Sequence, residues 1–303
     1  MLLTKEFLPA NKNAGFRMDG YYIWCGSLIK GPDQKYYLFA ARWPEETTFP
    51  EGYMTHSEIV LATSASLNEP FQFEKVVISR RDGDYWDAGM AHNPFVVQIG
   101  DEYVMFYIGT QNGSYENRAI GYATASSLDG EWTRSDKPLQ LPANANNPSV
   151  LLDSDGSILL YYRDGQLKVS VARASHYTGP YKILKYDLFP KGYIEDIFVF
   201  RLNDRYEMFA EDAGAAYTGL YKGGVHFVSQ DGIHWQPDAQ PSAYDFNIQY
   251  TDGTSLTLQR RERPQVYIEK NDAYLVTTAK AFGPDCLTGG KTWNMIQKFN
   301  QHK

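Results

Sequence analysis

Apolar and aromatic residues fall in short runs separated by Gly, Pro, Asn and Asp, and no stretch keeps the spacing of an amphipathic helix. The pattern predicts β-strands joined by tight turns. One unit, an apolar strand, a polar turn and an aromatic strand, recurs at residues 28–39, 94–107, 148–162, 197–209 and 264–276. Each copy sets an Asp-, Asn- or Gly-rich turn between its strands. These residues tolerate left-handed backbone and bond to their own turn, which is hairpin chemistry. A second unit follows the first four copies: a strand ending in small residues, a Gly or Pro turn, and a short strand opened by an aromatic. It occupies residues 59–73, 120–133, 169–182 and 225–235. Two hairpins make a four-stranded blade, and self-similarity of this kind marks a repeat architecture. The prediction is an all-β, five-bladed β-propeller, with residues 1–303 as a single domain. The fifth outer hairpin is degenerate around Thr292 to Ile296, so the segment before Gly15 is expected to supply a strand to the last blade.

Composition refines this picture in three places. Aromatics make up 15% of residues, with 23 tyrosines, which suits pleated, half-buried surfaces and, secondarily, stacking on sugar rings. The net charge of −7 is spread without blocks of one sign, and this argues against a nucleic-acid partner. No run is long enough to span a bilayer, and residues 1–6 carry no apolar targeting stretch, so no membrane partner and a cytoplasmic location are expected. Cys25 and Cys286 imply no disulfide scaffold, and Cys25, within an apolar run, reads as a small buried thiol. Neither a Cys cluster nor a His pair at ligand spacing is present, so no metal or cofactor is assigned, a channel Ca²⁺ being the one ion left open.

In a propeller the first strand of each blade lines a central channel, and its start shares a face with the loop joining strands two and three. Residues before the first strands and after the second strands therefore converge on one mouth. Here the former are Asp19 and Trp24, then Trp86, Asp87, His92 and Asn93, then Asn146 and Asn147, Glu195 and Asp196, and Glu262 and Arg263. The latter are Arg42, Trp43, Arg163, Glu211, Asp212 and Lys280, with His56 and Glu58 ending the first of the loops. An ion pair between Glu262 and Arg263 would orient the channel wall. Carboxylates crowded into one concavity shift each other's pKa values, and paired carboxylates facing a sugar-sized cleft are what glycosidic cleavage needs. The indoles of Trp24, Trp43 and Trp86 offer stacking surfaces. Arg42, Arg163, Arg263 and Lys280 offer donors to hydroxyls or to an acidic substituent.

The layout His92-Asn93-Pro94, Asn147-Pro148, Glu195-Asp196-Ile197 and Glu262-Arg263-Pro264 resembles the five-bladed propeller glycoside hydrolases of families 43, 62, 32, 68 and 117 over nearly the whole chain. Residues 229–235, Ser-Gln-Asp-Gly-Ile-His-Trp, are similar to a hairpin common in that group. Residues 22–27, 55–58 and 262–265 resemble a bacterial glycoside-hydrolase-like branch of it. The resemblance implies a glycosidase acting on an oligosaccharide, with Glu195 as the fourth-blade general acid. Asp87 is the expected base, with Asp196 and Asp19 as alternatives. His56 or His92 would take the acid's part if the family 117 pattern applies. Two departures stand out: Gly26-Ser27 replaces the Asp-Pro that opens blade one in family 43, and Asn147 replaces the third-blade acid. A glycoside phosphorylase or transferase using Arg42, Arg163, Arg261, Arg263 and Lys280 for phosphate, and a non-catalytic sugar-binding propeller, remain open.

Residues 42–58 form a connection longer than a hairpin needs, aromatic and braced by Pro44 and Pro50. The expectation is that it folds over the mouth, makes a pocket rather than a groove, and turns His56, Glu58 and Trp43 toward the sugar. Such an enzyme would be exo-acting.

Overall fold

The computed structural model describes residues 2–49, 51–282 and 291–302. Strand β1 (Leu2–Phe7) is followed by β2 (Tyr21–Lys30), β3 (Tyr36–Pro44), the short helix α1 (Glu51–His56), β4 (Glu58–Ser64) and β5 (Gln72–Ile78). The second blade holds β6 (Met90–Ile99), β7 (Glu102–Thr110), β8 (Ala119–Ala125) and β9 (Thr133–Arg134). The third holds β10 (Asn146–Leu152), β11 (Ile158–Arg163), β12 (Val169–Ala174) and β13 (Lys182–Lys185). The fourth is β14 (Ile194–Leu202), β15 (Arg205–Asp212), β16 (Gly223–Ser229) and β17 (Gln236–Tyr244). A small hairpin, β18 (Asn247–Gln249) and β19 (Ser255–Thr257), leads to β20 (Arg260–Glu269), β21 (Asp272–Lys280) and β22 (Thr292–His302).

These strands form five antiparallel four-stranded sheets, four in simple meander order and the fifth ordered β1-β22-β21-β20. The N-terminal strand thus lies outermost on the last blade, paired with β22. The five first strands touch in the cyclic order β2, β6, β10, β14, β20 and back to β2, so the ring is closed as a five-bladed β-propeller.

Closure explains why the inner strands read as nearly unbroken apolar runs. Each blade is buried on both faces between its neighbours, so alternate residues enter different cores. Phe39 and Leu61 face Met105 and Tyr107 of the second blade, while Leu38, Ala40 and Val60 face Tyr274 and Val276 of the fifth. Three further cores separate the second blade from the third, the third from the fourth and the fourth from the fifth. Side chains also staple first strands together: the Val96 N–H donates to Ser27 Oγ at 2.8 Å, the Val199 N–H to Ser149 Oγ at 3.0 Å, and the Leu28 N–H to Gln265 Oε1 at 2.6 Å. The hairpin at residues 229–235 is held by Ser229 Oγ and Asp231 Oδ1, which accept the N–H groups of Gly232 and of Ile233 and His234. Cys25 is buried and unbridged, whereas Cys286 lies outside the described residues.

Candidate active site

Every first strand carries a β-bulge at the same place. The register slips between Trp24 and Ser27, His92 and Phe95, Asn146 and Ser149, Glu195 and Phe198, and Glu262 and Gln265. Within each bulge one residue adopts left-handed backbone: Cys25, Asn93, Asn147, Asp196 and Arg263, with φ between 52° and 56°. Asn and Asp accept this conformation readily, whereas Cys and Arg do so at a cost of order 1 kcal/mol or more. The bulges turn these five side chains onto the propeller axis. There they form a polar ring. The Cys25 thiol donates to Asn93 Oδ1, Asn93 Nδ2 donates to Asn147 Oδ1 at 2.6 Å, and Asn147 Nδ2 donates to Asp196 Oδ1 at 3.0 Å. Arg263 binds Asp196 through its backbone N–H at 3.2 Å and its guanidinium at 3.1 Å. Its charge acts on the Cys25 thiol and completes the circle. Burial pushes that thiol up to about 12, so Cys25 is a neutral donor.

The ring floors a cavity of about 240 Å³ at the end of the axis where the first strands begin. Trp24, Trp43 and Phe49 make one wall, with Trp43 and Phe49 stacked at 5.7 Å. Phe49 and Tyr53 come from the long connection of the first blade, and Tyr53 stacks on His92 at 4.6 Å. The connection therefore does cover the mouth. His92 Nδ1–H donates to Ser57 Oγ at 2.8 Å, because that hydroxyl gives its own hydrogen to the Ala91 carbonyl. Burial, aided by the charges of Arg263 and Arg118, lowers the His92 pKa well below the usual range. His92 is therefore neutral near pH 7, with its one ring hydrogen committed to Ser57.

The acids lie on the side of the fourth and fifth blades. Glu195 pairs with Arg163 at 2.8 Å, and Arg163 also donates to the Tyr193 hydroxyl at 3.1 Å. Glu262 pairs with Arg260 at 3.1 Å and lies 3.8 Å from Lys222. Behind them Glu211, opposite Glu195 in the β14–β15 ladder, is fully buried and paired with Lys222 at 2.8 Å, while its Oε2 has no partner. Oxygens of Asp196, Glu211 and Glu262 all lie within 4.8 Å of one another, which makes these the residues among those described that could hold a cation. The Lys222 ammonium already stands among them. Burial raises the proton affinity of both glutamates. The charges of Glu262 and Asp196 lift Glu211 further, well above the carboxylate range, while Lys222 partly offsets the rise in Glu262.

Of the residues singled out in the sequence, Trp24, Trp43, His92, Asn93, Asn146, Asn147, Arg163, Glu195, Asp196, Glu262 and Arg263 line this cavity. The others do not. Asp87 is completely buried within the second blade, held by Arg81 at 2.7 Å, the Tyr107 hydroxyl at 2.7 Å and Arg134 at 3.5 Å, so it braces the blade and cannot act as a base. Trp86 packs beside it, tilted against Tyr107 at 5.1 Å and seated over the Cβ-free surfaces of Gly109 and Gly121. Asp19 is fully exposed beside Lys291, 3.8 Å away. Arg42 and Glu58 satisfy each other at 2.7 Å outside the cavity, and exposed His56 bonds Thr55. Asp212 accepts the N–H groups of Ala216, Tyr217 and Thr218 and fixes that loop. Lys280 donates to Gln259 behind Phe49, and Glu211 sits one layer back. Glu262 and Arg263 form no ion pair with each other: Glu262 pairs with Arg260, and Arg263, at the bulge, pairs with Asp196. Arg118, Arg260, Phe49, Tyr53 and Ile108 complete the lining and were not singled out. Arg118 stands just before β8, as Ser57, which bonds His92, does before β4.

No protein-family model matches the chain, and no curated protein matches it in sequence. Solved structures do match its shape. One is a BT0996 RGII complex, with a TM-score of 0.73 at 16% identity over 97% of this protein and 92% of that one. Another is Zg3597, a family 117 glycoside hydrolase from the marine bacterium Zobellia galactanivorans, with a TM-score of 0.73 at 15% identity over 97% and 90% of the two proteins. A third is CoXyl43, a family 43 β-xylosidase/α-arabinofuranosidase from a compost microbial metagenome in complex with xylotriose, with a TM-score of 0.67 at 14% identity over 96% and 95%. The protein thus has the five-bladed propeller fold shared by these glycoside hydrolases.

Proposed function

We propose that the protein is an exo-acting glycosidase that removes a terminal sugar, with Glu195 and Glu262 as its catalytic carboxyls. The observation that carries this reading is the pair itself: two carboxyls from adjacent blades facing an aromatic-walled cavity of about 240 Å³. That volume is below the roughly 300–1,000 Å³ of sites for drug-sized ligands, so it suits one sugar ring rather than a chain. The aromatic wall of Trp24, Trp43 and Phe49 supplies faces for the ring. Glu262, whose proton affinity burial raises, gives its proton to the glycosidic oxygen as the bond to the anomeric carbon breaks. Glu195, steadied by Arg163, takes a proton from the water that attacks that carbon. Solvent then returns the proton from Glu195 to Glu262. The likeness to glycoside hydrolases of the same fold supports the reaction class.

The test is a panel of aryl glycosides and short oligosaccharides incubated with the wild type, Glu195→Gln and Glu262→Gln. The wild type should release monosaccharide from chain ends. Each variant should lose at least about a hundredfold in kcat, the order of a positioned acid or base. Hydrolysis that survives in both variants, or products cut from chain interiors, would overturn the assignment.

A further inference from the structure

The charges around the cavity do not balance. Four guanidinium groups line it, those of Arg118, Arg163, Arg260 and Arg263, against three carboxyl groups, Glu195, Asp196 and Glu262. Each carboxyl group has a guanidinium beside it: Arg163 at 2.8 Å from Glu195, Arg260 at 3.1 Å from Glu262, and Arg263 at 3.1 Å from Asp196. The carboxylate behind them, Glu211, belongs to Lys222. Arg118 has no acid partner among the described residues. It is half-buried, its Nε donates to the Tyr115 carbonyl at 3.1 Å, and it is hydrogen-bonded to the Tyr53 hydroxyl. Its charge reaches the cavity floor, where it helps keep His92 neutral.

The placement is directional. Arg118 belongs to the second blade, which adjoins the first and third in the ring, so it stands across the axis from the fourth and fifth blades that carry the acids. A sugar with its anomeric carbon at Glu195 and Glu262 presents the opposite part of its ring to Arg118. A guanidinium is a planar fork that matches a carboxylate with two parallel hydrogen bonds, and half-burial strengthens them. We propose that the cavity selects a sugar bearing a carboxylate, a uronic acid, with Arg118 as the residue that reads it. The inference rests on the glycosidase reading for the placement of the anomeric carbon.

The experiment measures calorimetric binding of D-glucuronate and D-galacturonate beside D-glucose, D-galactose and the two hexose 6-sulfates. Hydrolysis of the matching aryl uronides and hexosides is measured in parallel. At least one uronate should be preferred over its neutral hexose by about ten- to hundredfold, the order of one charge-assisted hydrogen-bonding contact. In Arg118→Gln the ratio of uronate to neutral should collapse toward one, and Arg118→Lys should restore part of it. Thermal melts of both variants confirm that they are folded. Equal or better binding of the neutral sugars, a preference that survives in Arg118→Gln, or tighter binding of the sulfates than of the uronates would overturn the inference. Glu195-dependent hydrolysis of neutral glycosides without uronate preference refutes the inference alone. Silence across the whole panel counts against the glycosidase reading as well.

Discussion

Replacing Asp196 with Leu tests the ring that floors the cavity. In the native protein its carboxylate accepts from Asn147 and twice from Arg263, and both members of the ion pair are buried, with 6% and 9% of their side chains exposed. Removing one partner of a buried pair leaves the other charge unmatched, at a cost of about 3–5 kcal/mol. The orphaned Asn147 amide adds about 1 kcal/mol. Against this, Asp196 repels Glu211 and Glu262, and its loss relieves both. The net expectation is about 3 kcal/mol. For a protein of this size each kcal/mol moves Tm by about 2 °C, so Asp196→Leu should melt roughly 6 °C below wild type near neutral pH.

The sharper form of the test is the double variant Asp196→Leu/Arg263→Met. Replacing a buried pair by apolar residues of similar volume is often neutral, because both desolvation penalties vanish together. The double variant should therefore melt above Asp196→Leu, and the cycle should show a coupling of about 2 kcal/mol. Circular-dichroism melts of the wild type, both single variants and the double variant supply the four corners. A cost below about 1 kcal/mol for Asp196→Leu, or strictly additive effects, would refute the claim that this pair holds the ring together.

Two further expectations concern stability alone. The folded-state pKa of Glu211 lies above its unfolded value of 4.5, so the stability tied to its protonated form is full below pH 4.5 and is lost as pH rises through the folded value. Glu211→Gln, which keeps the shape without the charge, should flatten the fall of Tm with rising pH, and a slope unchanged from wild type in a pH series of melts would count against this. A Cβ on Gly121 would stand 2.1 Å from the Trp86 ring, which must then leave its seat on the second blade. Gly121→Ala should accordingly cost about 1–3 kcal/mol in a denaturant titration, and a neutral effect would show that Trp86 is not packed there.

The propeller was legible because two-sided burial writes itself into the chain. A strand between two cores must be apolar on both faces, and five such strands between polar turns, each opening a hairpin, admit few other closures. The mouth was legible only in part, for a reason that Asp87 and Glu262 illustrate together. Both are acids near the start of a first strand, and sequence position treats them alike. What separates them is the bulge. Glu262 stands one residue before the left-handed Arg263, as Glu195 stands one residue before Asp196, so both project from the strand start at the same height on the axis. Asp87 lies three residues before its strand begins, in a segment that runs back over the blade, and the chain there turns it toward Arg81 and Tyr107. A left-handed residue leaves a clear mark in sequence when it is Gly, a fainter one when it is Asn or Asp, and none when it is Cys or Arg. Asn93, Asn147 and Asp196 carry that faint mark, whereas Cys25 and Arg263 carry none. Counting along the three recognisable bulges to the same step in the other two blades brings Trp24 and Glu262 to the cavity, and leaves Asp19 and Asp87 outside it. The pairing of charges adds what counting cannot. Four arginines line one cavity, three of them stand against acids there, and only the folded geometry shows that Arg118 is the one without an acid beside it among the described residues.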